Sequence, residues 1–273
     1  MISDVQEKCT TCGYNAGAPN VRTAMREEER QALETRYSEA RQQATVSGSL
    51  GILDDFESAL QTSAAVINAA PQFIFPFLAN GSTLYSTYNL SVNGEVRSTA
   101  SPDDDRHRVG VEGILFGSYG KQIRYAALSL DGSGLTSYGS FAMRLRDVAI
   151  RRRASLLEEN SYDFVENQGL RPRSKIPSGF RSAWEERHKL AVAKLGGSLL
   201  PTTIAGEYQD LLLSSNGNRA EDRFLEVHIF GPFDANSVES VKGRSATKSK
   251  GEKADIARIK DALARAGKVW IEE

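Results

Sequence analysis

The sequence predicts an α+β protein: a mostly antiparallel β core carrying an N-terminal helical segment and a helical insertion. Three observations predict it. Strong helix formers (Arg, Glu, Gln, Ala) fill residues 21–47. The apolar period changes from residue 72 onward to short alternating runs broken by Gly, Asn and Asp. A second helical stretch at 180–213 then separates those runs from one further strand, Phe224–Gly231. Helices first, then strands with an inserted helical block, argue against a doubly wound sheet. The chain also has no GxGxxG or Walker loop.

Taken in order, residues 1–20 are polar and Gly/Pro-containing and read as a flexible tail. Residues 21–70 read as a helical segment in two parts. The first runs over 21–47, stopped by Gly48 and Gly51. The second runs over 52–69, with Leu53, Phe56, Leu60, Ala64 and Ile67 at helical spacing and Pro71 as terminator. Residues 71–165 and 216–245 form the β core. Its expected strands are Gln72–Leu78, Thr83–Val92, Glu95–Thr99, Ile123–Leu130, Ser137–Leu145 and Arg223–Phe230. Asn93-Gly94 reads as a hairpin turn and 111–116 as a short helix. Residues 166–215 are the helical insertion. A Lys/Gly/Ser-rich link precedes a C-terminal helix within 246–273.

Composition sets limits on function. The 273 residues carry a formal net charge of -1, so the whole molecule is not built to bind a polyanion. Arg144, Arg146 and Arg151–Arg153 form a basic run. It lacks the interleaved aromatics that stack bases, and it reads as a solvated basic face able to help hold phosphates or an acidic protein. No nucleic-acid partner is expected. No run approaches the length of a membrane span. Met1–Gln6 has neither the basic patch nor the apolar core of a cleavable signal peptide. Cys9 and Cys12 make a CxxC with no second pair, and a zinc site needs about four ligands; the pair reads as neither metal-bound nor catalytic.

The most informative stretch is Phe224-Leu225-Glu226-Val227-His228-Ile229-Phe230-Gly231. It reads as a buried strand holding one carboxylate among apolar neighbours, and a buried charge is costly unless paired or used. Around it lie five segments in order. They are Val96-Arg97-Ser98, then Leu115-Phe116-Gly117 with Arg124–Leu130, then Tyr138-Gly139-Ser140-Phe141-Ala142-Met143-Arg144-Leu145, then Arg152–Ser155, then Leu225–Pro232. Together, over about 95–240, they resemble a family of bacterial mono-ADP-ribosyltransferase effectors of the CteC kind. Members of that family modify a threonine of host ubiquitin.

The resemblance implies an ADP-ribosyltransferase-like core and NAD as co-substrate. It implies a secreted bacterial effector acting in the host cytoplasm, where ADP-ribosylated ubiquitin blocks ubiquitination. It places Glu226 beside the ribosyl cation that forms as nicotinamide leaves, the oxocarbenium chemistry of glycoside cleavage. Arg97 would clamp the pyrophosphate or adenosine ribose, with Ser98 donating beside it. Ser140 would shape the nicotinamide pocket, and Tyr125 or Tyr138 would stack on the ring. Glu221 and Asp222, just before the strand, are placed to orient the acceptor hydroxyl; Asp103–Asp105 are a second source. One of the helical segments outside that core, 21–69 or 180–213, would grip the target protein.

The chain departs from the family pattern in two places. Thr99–Asp105 replaces an acidic, glycine-rich stretch. Phe224 stands where arginine-modifying toxins carry an acidic residue or glutamine. Three other readings stay open: an NAD glycohydrolase, transfer to another host protein such as actin, and a non-enzymatic interaction module.

Overall fold

The computed structural model describes residues 6–85 and 102–273, with the side chains of 102–106 excepted. The chain folds as α+β. The described strands form one sheet in the order β5-β4-β6-β2-β1-β3-β7-β8. They are β1 Ala64–Ala69, β2 Ile123–Ser129, β3 Phe141–Leu145, β4 Ala154–Leu157, β5 Arg181–Ala183, β6 Glu226–Phe230, β7 Val238–Gly243 and β8 Val269–Glu272. Neighbours pair antiparallel except β7 and β8. That one parallel pair needs a crossover, which the helix Lys250–Arg265 supplies. Ser249 caps this helix by accepting from the Glu252 N–H, and Gly267, at φ +63, ends it.

The two faces of the sheet are covered differently. Val227 and Ile229 of β6, and Leu225 just before it, point into the larger core, together with Ala126, Leu128, Met143 and Val241. Side chains from the helices Glu27–Ser47, Leu50–Leu60, Pro71–Ala79, Arg187–Leu195 and Lys250–Arg265 complete that core. The opposite face carries Ile123, Leu157 and Phe230, packed against Leu115, Phe116, Tyr119, Phe164 and Val165. Alternation along a strand, with successive side chains on opposite faces, is what lets one short strand serve both layers.

Several expected elements change. Residues 52–69 are not one helix: Leu50–Leu60 is helical, and Ala64–Ala69 is β1, fourth from one edge of the sheet. Ala64, Ala65, Val66 and Ile67 are all buried, and a short continuous apolar run fits a two-sided buried strand as well as a helix face. Pro71 does not terminate a helix but opens one, Pro71–Ala79, where a strand was expected. Its fixed φ and missing N–H suit a first helical turn. The expected tail ends early, because Ala18, Pro19 and Asn20 are buried and a helix runs over Pro19–Ala24. The insertion includes β5, and the C-terminal segment adds β8 after its helix. Residues 137–145 split into a 3-10 turn, Thr136–Tyr138, and β3. Of the expected strands 83–92 and 95–99, and of the Asn93-Gly94 turn, all but Thr83–Tyr85 lies outside the described residues.

Among the described residues no helix is long and apolar enough to cross a membrane. Cys9 and Cys12 are free thiols. They sit in a small hairpin held by the Cys9 N–H to Tyr14 O bond and a Lys8–Asn15 bridge.

The approach to β3 is pinned to β1. Asn68 donates to Ser133 O and Gly139 O and accepts from the Leu135 N–H at 2.8 Å. Gly139 has φ +153, and a Cβ there would lie 2.2 Å from the Ala69 carbonyl carbon. Backbone cannot yield as a flexible side chain does. Gly139→Ala is therefore expected to destabilise the fold by about 1–3 kcal/mol. The check is the urea unfolding midpoint, which falls while the m-value stays unchanged.

Candidate active site around Glu226

Glu226 opens β6, paired across the sheet with Ala127 of β2 and Leu157 of β4. It is 6% exposed. Its Oε2 accepts three hydrogen bonds: from the Ser161 N–H at 2.9 Å, from the Ser161 hydroxyl, and from His228 Nε2 at 2.9 Å. Among the described residues Oε1 accepts none. One oxygen is thus saturated and fixed, and the other keeps its accepting capacity.

The local sequence explains the arrangement. Glu226 and His228 are two apart on one strand and so share a face. Ser161 begins the short helix Ser161–Asn167. Asn160 caps that helix by accepting from the Tyr162 N–H at 2.8 Å. The first N–H of a helix has no partner within the helix, and here the Glu226 carboxylate takes it. Because an ionised carboxylate only accepts, the bond to Glu226 assigns the ring proton to Nε2 of His228. Asn20 steadies the strand on the same face, donating to the His228 carbonyl at 2.9 Å and to Ser155 Oγ at 3.0 Å. Phe116 packs edge-on to the imidazole at 4.8 Å.

Two tyrosines flank this group. Tyr125 of β2 lies beside His228 in register, with the rings edge-on at 5.5 Å. Its hydroxyl donates to the buried Glu112 at 3.3 Å. Burial pushes the Tyr125 phenol well above its ordinary value, and the charges of Glu112 and Glu226 add to this. Burial also raises the Tyr138 phenol, with Glu226 the next contribution, Arg219 opposing it and Asp222 adding. The Arg219 guanidinium lies 4.6 Å from the Tyr138 ring centroid.

The site residues expected from sequence separate accordingly. Glu226, Tyr125 and Tyr138 come together. Asp222 is 2% exposed, accepts from the Ser137 hydroxyl and acts on the Tyr138 phenol through its charge; among the described residues its buried Oδ1 has no partner. Glu221 lies in an exposed turn, held by the Asn216 and Asn218 side-chain amides, which keep its carboxyl below the ordinary value. Ser140 is exposed just before β3. That is three strand spacings from β6, about 14 Å, so the hydroxyl on Glu226 belongs to Ser161 instead. Arg97 and Ser98 lie outside the described residues, as do the side chains of Asp103–Asp105. His228 was readable as the same-face neighbour of Glu226. No local signal marks Ser161, 65 residues earlier, or Glu112, which only the packing of Tyr125 brings in.

Among the described residues no group of three or more His, Cys, Asp or Glu is placed to hold a metal ion. The donor set is instead that of an oriented carboxylate beside aromatic rings, suited to stabilising positive charge in an organic ligand.

Two outcomes are expected. Ser161→Ala deletes a hydroxyl bonded to a buried carboxylate and should cost about 1.5–3 kcal/mol by chemical denaturation. The second concerns alkaline stability. The folded state holds the Tyr125 proton more tightly than the unfolded chain does. The stability this contributes is whole below about pH 10 and is lost as pH rises through the folded value. Tyr125→Phe should flatten the fall in urea midpoint as pH rises above about 10. The sequence matches no protein-family model and no curated protein.

Proposed function

We propose that this chain is a mono-ADP-ribosyltransferase that moves ADP-ribose from NAD to a protein hydroxyl, with a threonine of host ubiquitin as acceptor. The observation that carries the reading is the asymmetric carboxylate of Glu226: Oε2 is fixed by Ser161 and His228, while Oε1 accepts no hydrogen bond from the described residues. In NAD the nicotinamide is cationic and leaves as a neutral molecule, taking the electron pair of the C1′–N bond. Positive charge builds on the ribose as it departs. A carboxylate already oriented stabilises that charge without reorganising at the moment of reaction. The acceptor oxygen then bonds to C1′ and its proton is lost.

Tyr125 and Tyr138 would supply aromatic walls beside this carboxylate, and Asp222, whose charge acts on Tyr138, is the acid we assign to orient the acceptor. The acceptor and the host setting rest on the sequence resemblance alone.

The test incubates the full chain with labelled NAD and ubiquitin beside Glu226→Gln, which keeps the side-chain shape and removes the charge. The expected outcome is label on a ubiquitin threonine, located by mass spectrometry. Turnover in the variant should fall by about 10²-fold or more. Free ADP-ribose without a protein adduct would make the chain a glycohydrolase. No NAD turnover in the unaltered chain would sink the enzymatic reading, and undiminished turnover in Glu226→Gln would remove Glu226 from the mechanism.

A further inference from the structure

We propose that Arg124 and Arg153 form an anion site at the Phe230–Pro232 bend, built to hold a phosphate group. Both arginines bond to the backbone around Gly231. Gln122 O accepts both the Gly231 N–H at 2.9 Å and Arg124 Nη1 at 2.7 Å. Arg153 Nη1 donates to Pro232 O at 2.5 Å and Phe230 O at 3.4 Å, and its Nε donates to Ala149 O. Gly231 holds the bend at φ +78, and the space a side chain would fill there faces Arg153 Nη1 at 3.8 Å.

These contacts position the two cations and leave their charge unanswered. Arg124 is 6% exposed, yet among the described residues its Nε has no hydrogen-bond partner. Among the described residues neither arginine makes an ion pair, although the chain has 35 acidic residues for 34 basic ones. The other inward-facing arginines are answered: Arg36 by Glu158, Arg181 by Glu29. Arg187, which has no carboxylate in contact, is ringed by Ser63 Oγ, Trp184 O and Gln61 O. Asp234 and Glu7 attract Arg153 only from beyond contact distance. Burial holds Arg124 below its ordinary value, and repulsion from Arg153 adds to this. Two like charges brought together out of water are unfavourable unless an anion joins them.

Guanidinium nitrogens match phosphate oxygens in geometry and charge. The site is open at its rim, where Gln122 and Pro232 are exposed and the exposed Arg151 and Arg152 add positive potential. It is also distinct from the carboxylate site. Arg124 projects from the face of β2 opposite Tyr125, and Gly231 lies five residues along from Glu226, roughly 16 Å. The arginine run that gives the sequence its basic appearance thus contributes one member, Arg153, to a specific anion cradle.

The test is isothermal titration calorimetry of the full chain with inorganic phosphate and with pyrophosphate, at ionic strength matched with chloride. Saturable binding is expected. Arg153→Gln, at a half-buried position and with circular dichroism confirming the fold, should weaken it at least about tenfold, the equivalent of one charged hydrogen bond. Arg124→Met should abolish binding, with circular dichroism confirming the fold. Tighter pyrophosphate than phosphate binding would identify a nucleotide diphosphate as the source, and equal binding a single phosphate group. No binding above the chloride control, or unchanged binding in Arg153→Gln, overturns the proposal.

Discussion

The structure turns on the burial of one carboxylate. Glu226 occupies a position in the sheet where every strand neighbour is apolar, Ala127 on one side and Leu157 on the other. An ionised group there is tolerated only if its lone pairs are answered. The answer comes from two unrelated parts of the chain: a histidine on the same strand, and a helix whose first residue offers both backbone and side-chain donors. The placement of Ser161–Asn167 over the sheet follows from that need as much as from the apolar contacts of Phe164 and Val165. A buried charge with one partner removed costs far more than the pair contributes when intact, so this group specifies the fold around it more than it stabilises the whole.

The same face shows how polar groups were brought in beside an apolar layer. Asn20 ties three points together, donating to Ser155 Oγ, the His228 carbonyl and the Arg153 carbonyl. Tyr125 bridges from β2 to Glu112, and Gly120 makes that approach possible, since a Cβ on it would lie 2.9 Å from the Glu112 Cβ. Buried polar networks of this kind are favourable only when nearly every member is satisfied. The exceptions among the described residues include Oδ1 of Asn20 itself and Oδ1 of Asp222, both buried without a partner, and Oε1 of Glu226 accepts no hydrogen bond from those residues.

Legibility in the sequence followed the range of the interaction that decides each element. β2 and β6 could be read because alternation and flanking glycines are local, and the terminal helix because Gly267 marks its end, although its Ser249 cap sits in a stretch that reads as a link. β1 could not be, since Ala-Ala-Val-Ile-Asn-Ala satisfies a helical stripe and a buried strand alike; only pairing with β2 and β3 decides. Residues 71–79, rich in Phe and Ile, carry strand propensity overridden by Pro71 and by packing against the terminal helix. At the site, Glu226 stood out as a charge in an apolar run. Its serine did not, because a helix start 65 residues away becomes a ligand of that carboxylate only once the sheet has formed. Ser140 had the local pattern and the wrong strand.

One constraint joins the fold to the site. Side chains on a strand alternate, so a slip of β6 by a single residue would exchange its faces. Leu225, Val227 and Ile229 would leave the larger core, and Glu226 and His228 would enter it. Three contacts forbid that slip independently of apolar packing: Gly231 N–H to Gln122 O at one end, Asn20 to the His228 carbonyl in the middle, and Ser161 to Glu226 at the other end. Each also sets functional geometry. The first builds the bend that gathers Arg124 and Arg153, the second holds the histidine in place, and the third orients the carboxylate. Selection for the chemistry of this strand and selection for its register therefore act on the same residues. That is why its most polar positions are also among its most tightly determined.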